Sequence, residues 1–331
     1  MKTILERLYL GETLTRDEAY QTLTRITSGQ VPEVQVAALL SIYRMRAITT
    51  QELLGFRQSL LEAALPVDLS AYGAVDVVGT GGDGKNTFNI STCACFVIAG
   101  AGYHVAKHGN GGASSVSGAS TVLTQHGVKF TNDETLLRRS IEKCGVAYLH
   151  APMFHPALAA VGPLRRTLGV KTFFNLLGPL VNPCKPAAQL LGVANLEQLR
   201  LYREVLSQIG KPFCVVTSLD GYDEISLTTD FKLATRNGEN LFRPDEVGMP
   251  ISDFAKLQAG ATASDAAKLF DHVLEGTATS SQSNTVIVNA AFAIRLLAPE
   301  KSIAQCVEEA RESLESGAAR ERFECFIALN S

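Results

Sequence analysis

The 331-residue chain has no tryptophan and is poor in charged residues, which make up 19% of it against the ~25% usual in globular proteins. Its formal net charge of −3 gives no general attraction to nucleic acid, so any site for a polyanion must be local. The longest nearly apolar run, Cys93 to Gly102, is about half of the ~20 residues that a membrane span needs. The first residues carry charges where a signal peptide needs an apolar core. We therefore expect a cytoplasmic protein that binds neither nucleic acid nor a membrane.

Metal-binding cysteine pairs are also missing. The cysteines are odd in number and none lie in a C-x-x-C pair. They are Cys93, Cys95, Cys144, Cys184, Cys214, Cys306 and Cys325. This pattern predicts buried, reduced thiols rather than structural zinc or a disulfide framework.

The first part of the chain reads as helices only. Two capping boxes, Thr15 with Glu18 and Thr49 with Glu52, predict helix starts, because each side chain satisfies a free backbone N–H of the other residue. Chain length and 46% hydrophobic residues favour two domains. We place an all-helical domain at residues 1–72 and expect its apolar stripes to pack on the rest of the chain or on a second copy.

Strands and helices alternate from Val75 onwards. The predicted strands are Val75 to Val78, Tyr103 to Ala106, Val146 to Leu149 and Phe213 to Thr217. Helical segments between them indicate an α/β domain over residues 73–331, with a mostly parallel central sheet flanked by helices. The tail, from about Ser264 to Ala328, reads as mostly helical.

The segment Gly79 to Thr92, G-T-G-G-D-G-K-N-T-F-N-I-S-T, follows a strand and opens a helix. Its glycines let the backbone approach a phosphate or sugar closely. Free N–H groups and hydroxyls at the helix start, with Asn89, Ser91 and Thr92, are typical of an anion site. The segment is neither a Walker A loop nor the usual dinucleotide fingerprint. The alternative is a glycine-rich turn without a ligand.

A second segment of this kind, K-H-G-N-G-G-A-S-S-V-S-G-A-S from Lys107 to Ser120, also lies between a strand and a helix. Lys107 offers a point charge for phosphate. If the two strands are neighbours, the two loops face each other and can hold a ligand with two separated phosphate groups. A surface loop without a ligand is the alternative.

Asp223 and Glu224 follow the strand that ends at Thr217. Adjacent carboxylates suit Mg²⁺, which prefers hard oxygen ligands and keeps waters and substrate phosphates in its shell, although most such pairs are solvated turns. In a fourth segment, between His155 and Pro183, Arg165 can bind a carboxylate with two parallel hydrogen bonds or lie on a helix surface.

Together these segments closely resemble the anthranilate phosphoribosyltransferases. The resemblance rests on G-T-G-G-D-G…T-F-N-I-S-T, K-H-G-N…S-S, N-L-L-G-P-L-x-N-P and D-E, in that order along nearly the whole chain. It implies transfer of the 5-phosphoribosyl group of phosphoribosyl pyrophosphate (PRPP) to the amine of anthranilate, in tryptophan biosynthesis. It also implies Mg²⁺, a homodimer formed through the helical domains, and a helical domain that recruits parts of residues 155–185.

Carried over position by position, the resemblance implies three sets of site residues. The PRPP contacts are Gly79, Gly82, Asp83, Thr87, Asn89, Ile90, Ser91, Thr92, Lys107, His108, Gly109, Asn110, Gly111, Gly112, Ala113, Ser114, Ser115 and Ala119. The anthranilate contacts are Gly79, Asn110 and Arg165, and the Mg²⁺ positions are Ser91, Asp223 and Glu224. We expect electrostatic stabilisation and positioning by Lys107, Asn110 and Arg165, and no acid–base residue.

The chain departs from the common pattern K-H-G-N-R-x-x-S-S-K-S-G-x-A-D. Gly111, Val116 and Thr121 stand where that pattern has Arg, Lys and Asp, so a phosphate-facing loop lacks two cations. Two rival functions remain open at this point. A pyrimidine nucleoside phosphorylase is disfavoured because its K-H-S-x-G-G-V-G-D loop is missing, and a non-catalytic nucleic-acid-binding paralogue is disfavoured by the acidic balance.

Overall fold

The fold is that of a computed structural model, which describes residues 1–111 and 116–331. It divides into two compact units: Met1–Val67 with Ala151–Pro183, and Asp68–His150 with Cys184–Ser331. The first unit thus ends before the boundary at residue 72 expected from the sequence. It also takes the later segment Ala151–Pro183, which overlaps the residues 155–185 that the resemblance implies for the helical domain.

The first unit is helical. Its helices are α1 (Lys2–Tyr9), α2 (Arg16–Thr27), α3 (Glu33–Met45), α4 (Thr50–Glu62), α8 (Ala151–Phe154), α9 (Gly162–Leu168) and α10 (Phe174–Leu177). Both predicted capping boxes are present, at the starts of α2 and α4. The second one also reaches the core, because the fully buried carboxylate of Glu52 accepts hydrogen bonds from Leu14 N at 2.9 Å, Tyr43 Oη at 2.9 Å and the guanidinium of Arg46.

An aromatic cluster explains why the later segment joins the helical unit. Phe173 stacks on Phe56 of α4 at 4.4 Å between ring centroids, and Tyr43 of α3 meets both rings edge-on. Arg57 adds a hydrogen bond to the carbonyl of Leu180 at 2.9 Å. Buried aromatic surface of this size contributes strongly to packing. The local sequence of residues 151–183 does not predict which part of the chain this surface packs against.

The second unit contains the sheet. Its strands are β1 (Val75–Gly79), β2 (Val105–Gly109), β3 (Val146–His150), β4 (Ala188–Gly192), β5 (Phe213–Ser218), β6 (Phe231–Thr235) and β7 (Gly238–Phe242). They are ordered β3-β2-β1-β4-β5-β6-β7, with β1 to β5 parallel and β6 and β7 antiparallel to their neighbours. The strand predicted at Tyr103 begins only at Val105, because Tyr103 N still donates to Ile98 O and closes the end of the preceding helix.

Helices cover this sheet. They are α5 (Ile90–Gly100), α6 (Ala119–Gln125), α7 (Glu134–Cys144), α11 (Leu196–Ile209), α12 (Ala263–Leu274), α13 (Ser280–Leu297), α14 (Ile303–Glu315) and α15 (Ala318–Asn330). The apolar run noted in the sequence forms α5, which is buried from Ile90 to Ala99 apart from Ser91. A helix that is apolar on all sides belongs in a core. In the described ranges, no helix combines the length and the apolar character that a membrane crossing requires.

The cysteines are all free thiols, and six of the seven are buried, Cys325 being partly exposed. Burial raises the pKa of the Cys95 thiol to about 12, which leaves it protonated and unreactive near neutral pH. The buried cysteines therefore act as small apolar side chains.

Candidate active site

The loop after β1 connects that strand to α5, which begins at the N-cap Asn89. Asn89 Oδ1 accepts from Thr92 N at 2.8 Å, and Asn89 Nδ2 donates to Ser117 O at 2.7 Å. One side chain therefore caps the helix and ties it to the segment that follows β2. The helix start lies where the sequence placed it.

The first amides of α5 are already engaged. Ile90 N donates to Phe88 O at 2.8 Å, Ser91 N to Glu224 Oε1 at 3.0 Å, and Thr92 N to Asn89. The expectation of free N–H groups for an anion is therefore wrong for these three residues, since nearby carboxyl, amide and carbonyl oxygens occupy them. The side chains of Ile90 and Thr92 are buried, so only the Ser91 hydroxyl of this turn remains near the surface.

Strands β1 and β2 are adjacent and parallel, so the two glycine-rich loops emerge side by side at the carboxyl edge of the sheet. Lys107 is buried, and its Nζ donates to Val77 O at 2.5 Å and to Ser91 Oγ at 3.3 Å. Its charge thus lies beneath the start of α5. This edge of an open α/β sheet is where ligands usually bind.

The remaining residues of the second loop divide into buried and exposed positions. His108 is buried, and its backbone N–H donates to Asp76 Oδ1 at 3.3 Å. Asn110 is exposed, and its Oδ1 accepts from Gly111 N at 2.8 Å. The predicted contacts Gly112, Ala113, Ser114 and Ser115 lie outside the described residues. Gly109 ends β2, and Ala119 is buried at the start of α6.

The acidic pair reaches the first loop from a distant part of the chain. Asp223 is buried, and its Oδ2 accepts from Gly81 N at 2.6 Å. Gly79 makes room for it, since a Cβ there would lie 2.5 Å from the same oxygen. With Glu224 bound to Ser91 N, one carboxylate of the pair contacts the loop that follows β1 and the other contacts the first turn of α5. The pair is therefore not a solvated turn.

The buried carboxyl groups of Asp223 and Glu224 have raised pKa values, because burial disfavours the charged form and nearby cations do not fully offset their negative charge. Burial, and next the charge of Asp83, raise the pKa of Asp223 to about 7. Burial, followed by the charges of Asp223 and Asp83, raises the pKa of Glu224, and Lys107 opposes this only in part. Asp83 Oδ2 is buried and accepts no hydrogen bond from the described residues. Clustered carboxyl groups with raised pKa values are typical of functional sites.

These residues fit a divalent cation, because a hard cation bound by Asp223 and Glu224 would offset their buried charge and that of the neighbouring Asp83, whose Oδ2 has no partner among the described residues. Within residues 1–111 and 116–331, no three His, Cys, Asp or Glu side chains already form a closed metal site. A cation here would therefore complete its shell with water or substrate oxygens, which is the usual behaviour of Mg²⁺.

Arg165 belongs to the helical unit, on α9. Its guanidinium lies over the ring of Phe174 at 5.0 Å from the centroid, and burial lowers its pKa. This packing restricts the orientation of the guanidinium, as a bidentate carboxylate contact requires.

One departure from the family pattern has a local explanation. Val116, in place of Lys, packs against the apolar core of the second unit. Nothing in the structure explains Gly111 in place of Arg, since a Cβ there would make only an ordinary contact with Thr121 Oγ1, at 3.5 Å. Lys85, a candidate replacement for the missing cations, lies over the Tyr222 ring at 4.8 Å.

A polar cluster beneath the second loop was not predicted from the sequence. Ser120, Tyr148 and His150 are joined there by hydrogen bonds. The one available signal is Ser120 itself, which stands where the common pattern has Ala. The sequence pattern places Tyr148 in a strand and His150 just after it, and neither position signals a site.

Comparison with known protein families identifies the class of enzyme to which the chain belongs. The helical bundle domain of a glycosyl transferase family matches residues 2–64, and the a/b domain of a glycosyl transferase family matches residues 71–320. Both matches agree with the helical and sheet-containing units seen here. The chain thus has the two-domain plan of this class of glycosyl transferase.

Individual relatives identify one family within this class of glycosyl transferase. Anthranilate phosphoribosyltransferases of Phocaeicola vulgatus and Bacteroides fragilis (strain YCH46) are 56% and 57% identical to the chain, over 100% of each sequence. The crystal structure of the Thermus thermophilus enzyme of that name superimposes with a TM-score of 0.92 at 34% identity, covering 98% of both chains. The Saccharomyces cerevisiae enzyme in complex with PRPP and Mg gives a TM-score of 0.89 at 25% identity, covering 98% of this chain and 96% of that one.

The chain belongs to the anthranilate phosphoribosyltransferase family. The fold class and the enzyme class predicted from the sequence are confirmed by these matches.

Proposed function

We propose that this protein transfers the 5-phosphoribosyl group of PRPP to the amine of anthranilate, releasing pyrophosphate, as a step of tryptophan biosynthesis that uses Mg²⁺. One observation carries the proposal: Ser91 joins two other sequence segments, because its Oγ accepts from Lys107 Nζ at 3.3 Å and its N–H donates to Glu224 Oε1 at 3.0 Å. Family membership and the PRPP and Mg bound by the yeast relative support it.

In this proposal the two loops at the ends of β1 and β2 bind PRPP. The contacts are those the resemblance implies, from Gly79 to Thr92 and from Lys107 to Ala119. Because Ile90 and Thr92 are buried, they contribute by shaping the start of α5 rather than through side-chain contacts. Asp83, Ser91, Lys107 and Asn110 supply the charges and hydrogen bonds.

Mg²⁺ would be held by Ser91, Asp223 and Glu224, with water and phosphate oxygens completing its shell. When bound, the ion offsets negative charge on the pyrophosphate group. The raised pKa of Asp223, about 7, describes the protein without that ion, since a nearby cation favours the ionised carboxylate.

Lys107 stabilises the charge that develops on pyrophosphate as its bond to the anomeric carbon of the ribose breaks. Its ammonium is already held by Val77 O and Ser91 Oγ, so little reorganisation is needed during the reaction. The anthranilate amine is uncharged near neutral pH and needs positioning rather than deprotonation. Asn110 and Arg165 orient anthranilate, Arg165 through the carboxylate.

A homodimer formed through the helical unit is part of the proposal. Large apolar side chains are exposed at Tyr9 and Leu10, around the end of α1, and at Val34 and Met45 of α3, with Met45 91% exposed. Exposed apolar side chains of this size suit burial against a second copy of the chain. A cytoplasmic location is proposed too, because the polyanion PRPP does not cross membranes unaided.

The test is a fluorescence assay of the purified full chain with anthranilate, PRPP and Mg²⁺. Loss of anthranilate fluorescence that needs PRPP and stops with EDTA is the expected result. No loss, from folded protein with Mg²⁺ present, would contradict the proposal. Phosphate-dependent cleavage of thymidine or uridine would instead support the nucleoside phosphorylase, and salt-sensitive binding of single-stranded DNA without turnover would support the nucleic-acid-binding paralogue.

A further inference from the structure

The polar cluster beneath the second loop consists of Ser120, Tyr148 and His150. Ser120 Oγ lies 2.7 Å from Tyr148 Oη and 2.8 Å from His150 Nδ1. Ser120 and Tyr148 are buried and His150 is half-buried. A serine hydroxyl can donate to one neighbour while it accepts from the other, so the hydroxyl is fully satisfied within the cluster.

Aromatic packing holds the two partners of Ser120 in place. The His150 ring stacks on Phe130 with 4.4 Å between centroids and an interplanar angle of 17°, and the Tyr148 ring lies 5.3 Å from the same phenylalanine. Tyr148 and His150 also belong to β3, which is paired with β2. The cluster is therefore a rigid support rather than a set of mobile surface groups.

The polar cluster contacts Gly109 and Asn110, near the start of the second loop. Ser120 N donates to Asn110 O at 3.2 Å. His150 is the register partner of Gly109, and a Cβ on Gly109 would lie 2.5 Å from Tyr148 Oη. The backbone of Gly109 and Asn110 thus rests directly on the cluster.

We propose that Ser120 is a positioning residue for Asn110, holding the carbonyl of Asn110 through its backbone N–H while Tyr148 and His150 hold Ser120 through its hydroxyl. The inference rests on the proposed function, in which Asn110 contacts both substrates. Asn110 is exposed, and among the described residues its side chain bonds only its neighbour Gly111. Its position therefore depends on the backbone tie to Ser120. In this way a buried hydroxyl sets the affinity for anthranilate without contacting it.

The experiment compares the full-length protein with Ser120→Ala, Tyr148→Phe and the double variant. In Ser120→Ala, loss of the hydroxyl network is expected to raise the KM for anthranilate ~3- to 10-fold, which is the effect of losing one or two hydrogen bonds. The kcat should stay within about twofold of wild type. Tyr148→Phe should give a smaller rise. The double variant should match Ser120→Ala, because both changes break one network.

Ser313→Ala is the matched control. Ser313 is also a buried serine, and its hydroxyl bonds Val97 O at 2.7 Å, near the C-terminal end of α5 and away from the N-terminal end that adjoins the first loop. It should lower the Tm much as Ser120→Ala does and leave the KM for anthranilate unchanged. An equal rise in KM for Ser313→Ala, fully additive effects in the double variant, or a wild-type KM for Ser120→Ala would each overturn the inference.

Amide hydrogen exchange of the substrate-free chain separates this inference from the proposed function. Faster exchange of residues 105–111 in Ser120→Ala than in Ser313→Ala is expected, whatever reaction the protein catalyses. Unchanged exchange there would refute the positioning role. Wild-type protein that shows no turnover of PRPP and anthranilate, yet shows this faster exchange, would refute only the proposed function.

Discussion

Glu224 accepts a hydrogen bond from the backbone N–H of Ser91 at 3.0 Å, across 133 positions of sequence. The contact brings a carboxylate that follows β5 to the first turn of α5, the helix that follows β1. It places a carboxyl group against a helix N-terminus, whose partial positive charge favours the ionised form. It also makes Ser91, Asp223 and Glu224 neighbours, which is the basis of the metal assignment.

Replacing the two carboxylates is expected to change the metal requirement. In the variant Asp223→Asn with Glu224→Gln, the Mg²⁺ concentration for half-maximal turnover should rise at least ~10-fold, because neutral amides bind a hard cation more weakly. A Mg²⁺ titration of initial rates at saturating PRPP measures this. Asp220→Asn, an exposed aspartate of the same turn, is the control. A titration curve like that of wild type would remove Asp223 and Glu224 from the metal site.

Arg165→Ala should weaken anthranilate binding selectively. The loss of a charged, two-pronged hydrogen bond is expected to raise the KM for anthranilate ~10- to 100-fold and to change the KM for PRPP far less. Arg165→Lys should rescue little, since an ammonium cannot form the same fork. Arg166→Ala, the exposed neighbour on α9, should behave like wild type. Equal increases in both KM values would argue against a carboxylate contact.

His155 should make the protein less stable in mild acid. Burial lowers its pKa below the ordinary 6.5, so the folded state disfavours the charged ring. Its contribution is therefore present above about pH 6.5 and is lost as the pH falls from there through the lowered pKa. Urea unfolding at about pH 7.5 and pH 5.5 should show a drop in unfolding free energy that is smaller in His155→Gln. The same drop in both proteins would assign it to other groups.

The exposed apolar residues of the helical unit should control association. Wild-type protein is expected to elute with a mass near twice 35.5 kDa in size-exclusion chromatography with light scattering. Leu10→Asp with Met45→Asp should shift it toward the monomer, because a charge buried at an interface is unfavourable. Leu241→Asp, at an exposed leucine of β7, is the control. A wild-type monomer, or dissociation by the control alone, would contradict the proposed helical interface.

Local signals predicted the elements that bear the site. The capping boxes at Thr15 and Thr49 began helices as expected, and Asn89 caps α5 at the end of the first glycine-rich loop. The error at Tyr103 was a local one, since Tyr103 N still bonds the end of α5 and the strand begins two residues later, at Val105. These features depend on hydrogen bonds between near neighbours, which a sequence displays directly.

The helix starts, the alternation that specifies an α/β sheet and the motifs that define the family could all be predicted from local sequence. The tertiary structure was needed to show that the first amides of α5 are already engaged and that Ser120 N bonds Asn110 O. It also set the bounds, Ala151–Pro183, of the later segment that packs with the helical unit, which the family resemblance had implied for parts of residues 155–185. The physical reason is distance along the chain. Caps and periodicities act within a few residues, whereas the contacts of Asp223 with Gly81 and of Phe173 with Phe56 join segments more than 100 residues apart, and they form only once the core has packed.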